Sequence, residues 1–145
     1  TRVGPQIEMH KYNGTFWQTV CSANLTSSYF HMENIGNQIF NIQGDDIQFF
    51  NGSGFTNFLH VGNFIILDLE LCGSSPENIF MSGFDLLGDH KDYIFNYNGI
   101  KWSKELVEDE DYQNYHYFYS TANTVYAIAY DYLAEKSIVL KGVRK

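Results

Sequence analysis

Basic residues are scarce in this chain. Nine Lys and Arg stand against seventeen Asp and Glu, for a net charge of −8. The densest basic spot is the short terminal run KGVRK, and no cationic stripe tracks along any segment. That balance argues against nucleic acid as a partner. Long apolar runs are missing too. Nothing approaches the roughly eighteen residues that a membrane helix needs, so no membrane insertion is expected. No signal peptide is visible, which fits a mature or an intracellular chain. Proline and methionine are sparse, at two and three residues.

Chemistry-bearing patterns are equally thin. His10, His31, His60, His90 and His116 do not pair with one another or with Cys at ligand spacing. Cys21 and Cys72 lack C-x-x-C partners, so neither zinc nor any other metal is expected. There is no G-x-S-x-G, no P-loop and no dinucleotide fingerprint, so no cofactor is implied. Acid pairs such as Asp45-Asp46 and the run from Glu108 to Asp111 read as solvated faces. No nucleophile, base and orienter form a set, and the expectation is a non-enzyme.

Aromatic residues are abundant: twelve Phe, eleven Tyr and two Trp in 145 residues, a single-domain length. Rings favour pleated, half-buried strands and recognition surfaces. Turn signals recur every eight to fifteen residues, at Asn13-Gly14, Gly36-Asn37, Gly44-Asp45, Asn51-Gly52, Gly62-Asn63, Gly73 to Pro76, Gly88-Asp89 and Asn98-Gly99. The runs between them are rich in Ile, Val, Phe and Tyr. This spacing predicts an antiparallel all-β domain over residues 1–145, with no internal repeat.

Alternation supports the strands. Ile65, Leu67, Leu69 and Leu71 share one face, opposite Ile66, Asp68 and Glu70. Val125, Ala127 and Ala129 oppose Tyr126, Ile128 and Tyr130. Small residues on one face leave space that a neighbouring side chain or a ligand fills. Ile138 and Leu140 oppose Val139 and Lys141. One segment, from Ser103 to Tyr115, suits a turn or two of helix or an acidic loop.

Asn13, Asn24 and Asn51 begin three N-glycosylation sequons. The even cysteine count allows a Cys21–Cys72 disulfide. Both features point to a secreted, extracellular glycoprotein.

Two stretches carry a family resemblance. In MHKYNGTFWQTV, residues Lys11, Tyr12 and Gly14 match the lipocalin opening K-Y-x-G-x-W-Y, with Phe16 and Trp17 in its aromatic slots. In YSTANTVYAIAYDYLAEKSIVLKGVR, residues Thr121, Tyr126, Ala127, Ile128, Tyr130, Gly142 and Arg144 match the family's closing strands. The resemblance implies a single antiparallel up-and-down β-barrel of about eight strands, with little helix. It implies a structural floor in which Arg144 covers Phe16 or Trp17 by a cation–π contact. It also implies transport or sequestration of a small, largely hydrophobic or aromatic ligand in the barrel cavity. Strand phase then turns Leu67, Leu69, Leu71, His116, Phe118, Ala127, Ala129, Ile138 and Leu140 inward as ligand-binding residues, with His116 as the polar group. The rival expectation is a β-sandwich accessory or adhesion domain without a cavity. It would bind carbohydrate or protein through exposed aromatics.

Overall fold

A computed structural model describes residues 6–24, 31–61, 64–65, 70–85, 91–105 and 112–143. The chain is all-β, and no helix occurs among the described residues. Among the described residues, fourteen strands form four separate sheets, and every pairing is antiparallel.

The first sheet is a hairpin of β1 (Gln6–Tyr12) and β2 (Trp17–Asn24). The second is a meander of β3 (His31–Ile35), β4 (Gln38–Gln43), β5 (Asp46–Phe50) and β6 (Phe55–His60). The third contains β7 (Phe64–Ile65), β8 (Leu71–Ser75), β9 (Asn78–Asp85), β10 (Asp92–Tyr97) and β11 (Trp102–Glu105). Here β8 and β7 pair with successive parts of β9, and β10 and β11 follow on its other side. The fourth is β12 (Tyr112–Ser120), β13 (Thr124–Asp131) and β14 (Lys136–Val143).

Turn chemistry makes these meanders local. Gly36 and Asn37, both at positive φ (57° and 67°), link β3 to β4 in a two-residue hairpin. Only residues tolerant of left-handed backbone suit such a link.

The second, third and fourth sheets stack face to face, and two cores result. Ile35, Phe40, Ile42 and Ile47 of the second sheet meet Leu71, Ile79, Met81 and Phe95 of the third. On its other side, the third sheet presents Ile94 and Phe80 to Tyr115, Phe118, Ala127, Ala129, Ile138 and Leu140 of the fourth. The third sheet is therefore a middle layer, buried on both faces. Its strands NIFMSGFD and DYIFNY accordingly read as near-continuous apolar runs rather than as alternation. The first strands gather on one side: β8 touches both β3 and β12.

This corrects the expectation of a single eight-stranded barrel: none of the four sheets closes. A barrel needs each strand hydrogen-bonded on both sides, yet β3, β6, β11, β12 and β14 are sheet edges among the described residues. The chain leaves each finished meander and starts a new layer. The stretch from Ser103 to Tyr115, which suited a turn or two of helix or an acidic loop, is strand where it is described. Trp102–Glu105 and Tyr112–Ser120 are strands, and residues 106–111 lie outside the described residues.

Candidate functional site

The sequence holds one pattern three times: an aromatic, Asn, Gly, two further residues and an aromatic. The copies are Tyr12–Trp17, Phe50–Phe55 and Tyr97–Trp102, and the Asn residues are 38 and 47 positions apart. In all three the outer aromatics are register partners across the hairpin.

The local geometry repeats closely. The Asn N–H donates to the carbonyl three residues on, at 3.2, 3.0 and 3.3 Å for Asn13, Asn51 and Asn98. Each Asn Oδ1 accepts the two backbone N–H groups ahead of it, all within 3.0–3.1 Å. Each glycine is at positive φ: 99° at Gly14 and Gly52, 86° at Gly99. Asn thus stands in for a missing backbone partner, and Gly supplies the conformation that a Cβ would strain.

What differs is coverage. Tyr97 and Trp102, 5.4 Å apart between ring centroids, pack against the core between the second and third sheets. Phe58 of β6 meets Tyr97 edge-on at 6.2 Å. In the first sheet Tyr12 and Trp17 adopt nearly the same relation, 5.3 Å and 42°. Yet Tyr12, Phe16 and Trp17 are 51%, 57% and 68% exposed. A ring cluster of this size left in water marks an interaction surface more often than a structural accident.

The second uncovered surface is the fourth sheet's outer face, opposite Ala127 and Ala129. There Tyr119, Val139 and Val143 stand 64%, 70% and 62% exposed, beside half-buried Tyr126, Ile128 and Tyr130. Lys141 Nζ lies 5.8 Å above the Tyr126 ring.

The residues expected to line a ligand cavity are divided by the fold. Phe118, Ala127, Ala129, Ile138 and Leu140 do come together, but Ile94 and Phe80 of the middle sheet share their cluster. Leu71 belongs to the other core. His116 pairs opposite Ile128, with its side chain outside the described residues, as are Leu67, Leu69 and Arg144. Phe16 and Trp17, expected in a barrel floor, stand at an exposed hairpin tip.

The expected Cys21–Cys72 bridge is not formed; both thiols are free. They sit in different sheets, Cys21 on β2 and Cys72 on β8. Burial pushes the Cys72 thiol up to about 12, and the Glu33 and Glu70 carboxylates add to that rise. The sequon asparagines Asn13 and Asn51 are turn caps, and Asn51 Nδ2 also donates to Thr56 Oγ1 at 2.8 Å. Asn98 caps its turn in the same way outside any sequon, so turn chemistry alone accounts for an Asn there. Asn24 ends β2, its side chain outside the described residues. Three histidines pair with acids: His10 with Glu8, His31 with Glu33 and His60 with Asp46. No cluster of three metal-ligating side chains occurs among the described residues.

No family model, curated protein or solved structure matches the chain. Nothing ties it to the lipocalins.

Proposed function

We propose that this chain is an interaction module that receives a protein surface on the exposed Tyr12–Phe16–Trp17 tip of its first hairpin. The observation that supports this reading is the contrast between two copies of one turn. Where the copy at Tyr97–Trp102 is covered, another sheet's side chains cover it. The same ring pair at Tyr12–Trp17 is pre-shaped for the same kind of neighbour. Exposed aromatic binding was the rival expectation from sequence, with carbohydrate or protein as the ligand. The 42° tilt between Tyr12 and Trp17 nearly matches the 46° of the covered Tyr97–Trp102 pair, whose cover is protein side chains, which favours protein. The carrier reading depended on a closed barrel, and the sheets are open.

The test isolates the tip. A photo-reactive phenylalanine analogue replaces Phe16, and the protein is irradiated in an extract of its source cells. A defined protein adduct that disappears with Trp17→Ser is expected. In parallel, Trp17 emission is titrated with oligosaccharides in a Trp102→Phe background. Saturable quenching by a sugar, without a protein adduct, overturns the proposal.

A further inference from the structure

A row of polar side chains crosses the outer face of the second sheet, the face opposite Phe40, Ile42 and Ile47. Register sets it up. Asn41 of β4 opposes Gln48 of β5, which opposes Asn57 of β6, and Asp46 opposes His60. A register shift between Ile47 and Gln48 puts Asn57 and His60 on this one face, although they are an odd number of residues apart. The side chains bond in sequence. Asn41 Nδ2 donates to Gln48 Oε1 at 3.1 Å, Gln48 Nε2 to Asn57 Oδ1 at 2.9 Å and Asn57 Nδ2 to Asp46 Oδ2 at 3.4 Å. His60 Nδ1 lies 2.9 Å from Asp46 Oδ1. Asn41 is 1% exposed and anchors the inner end, while Asn57 and His60 reach water. Asn41 Oδ1 finds no partner among the described residues. Next along β5, half-buried Phe50 and Phe55 oppose each other on the same face, with ring centroids 5.6 Å apart.

Most side-chain hydrogen bonds in proteins go to backbone or water rather than to other side chains. A series of them on a wet face costs rotamer freedom. What it yields is a set of amide donors and acceptors already aimed, which lowers the cost of binding. Each amide nitrogen keeps a second N–H, and each amide oxygen a second lone pair, beyond the ladder itself. We propose that this face binds a neutral oligosaccharide, with Gln48 and Asn57 meeting its hydroxyls and the Phe50–Phe55 rings its apolar C–H surface. A hydroxyl both donates and accepts, which is what neighbouring amide N–H and C=O groups require. Asn41 Oδ1 lacks a donor, and a hydroxyl settling beside Gln48 supplies one. From Phe50 to Asp46, β5 rises about 13 Å, which suits a chain of sugars rather than a single ring. Asp46 on this face and the net charge of −8 oppose phosphate or sulfate groups on the ligand. The site lies on a different sheet from the Tyr12–Trp17 tip and goes beyond the protein-binding reading without resting on it.

The experiment titrates isotope-labelled protein with neutral tetrasaccharides of glucose, mannose, xylose and N-acetylglucosamine, and follows side-chain amide and indole signals by NMR. At least one tetrasaccharide is expected to saturate, shifting the Gln48 and Asn57 side-chain amides and leaving the Trp17 indole in place. Asn57→Ala, at an exposed position, is expected to weaken that binding about fivefold with thermal unfolding unchanged. A ladder that serves only to tie β4, β5 and β6 together predicts the reverse: lower stability in Asn57→Ala and no sugar bound. Trp17→Ser is expected to bind the sugar as wild type does. Two results overturn this inference alone: no saturable shift with any tetrasaccharide, or an Asn57→Ala variant of unchanged affinity. A sugar that shifts the Trp17 indole instead of the ladder amides sinks this site and the protein-binding reading together.

Discussion

The hairpins β1–β2 and β10–β11 share a turn down to a tenth of an ångström in several hydrogen bonds, yet one is exposed and the other half-buried in a core. The comparison separates two causes that usually act together. Turn shape follows from Asn, Gly and a cross-strand ring pair, whatever lies above them. Stability follows from what covers the rings. The first hairpin has the shape without the cover, and the middle sheet has both.

The largest expected difference concerns the cysteines. Cys72 sits in the middle sheet with its thiol pushed up to about 12 from an ordinary 9.0. The folded state therefore favours the neutral thiol. Its contribution is complete below pH 9 and is lost as pH rises towards about 12. Three decades of proton affinity correspond to at most about 4 kcal/mol. Unfolding free energy should fall more steeply between these limits in wild type than in Cys72→Ala. Equal slopes would show that burial does not act on this thiol. In the native protein an alkylating reagent should modify half-exposed Cys21 and spare Cys72; both should react after unfolding.

The ring pairs come next. Trp102→Ala removes a large side chain from a packed interface and should cost about 3 kcal/mol in chemical denaturation. Trp17→Ala removes the same atoms from water and should cost less than about 0.5 kcal/mol in the monomer. Similar costs for the two would mean that the first hairpin is covered after all.

How much of this was legible in the sequence depends on what each pattern reports. The strands around Ala127 and Ile138 were readable because one side of each is buried and the other is wetter. The middle strands carry no such contrast. Ile79, Phe80 and Met81 are consecutive and all at least partly buried, since both faces pack. Alternation also says nothing about how one hairpin joins the next. Edge-to-edge joining gives a barrel and face-to-face joining gives layers, with the same residues turned inward. The alanine face was compatible with a ligand or a neighbour, and Phe80 and Ile94 of another sheet are what it meets. The shared turn escaped because its copies are unequally spaced and agree over six residues only. The fourth sheet's outer face was missed because single Val and Tyr residues on a strand give no sign of what faces them. The exposed tip was half visible: Phe16 and Trp17 stood out at once, but the motif that explains them is Tyr97–Trp102, far along the chain.

The smallest effect is the sharpest test of the comparison. Asn13 and Asn98 each give one carbonyl oxygen to two backbone N–H groups, at 3.0 and 3.1 Å for Asn13 and at 3.1 Å for both at Asn98. Replacement by Ala leaves those N–H groups to water, and both turns are exposed enough for water to reach them. The loss at each site is therefore the modest net worth of the bonds, about 1 kcal/mol. Because the acceptor, the donors and the solvent access match, Asn13→Ala and Asn98→Ala should destabilise their own hairpins alike. Amide hydrogen exchange at Phe16 and Lys101 reads this locally, free of global unfolding, and both should speed up by about the same factor of five. If Lys101 alone is affected, the covered rings hold that turn together, and shape and cover are not separable causes. If both respond equally, the first hairpin is a finished turn that lacks only its neighbour.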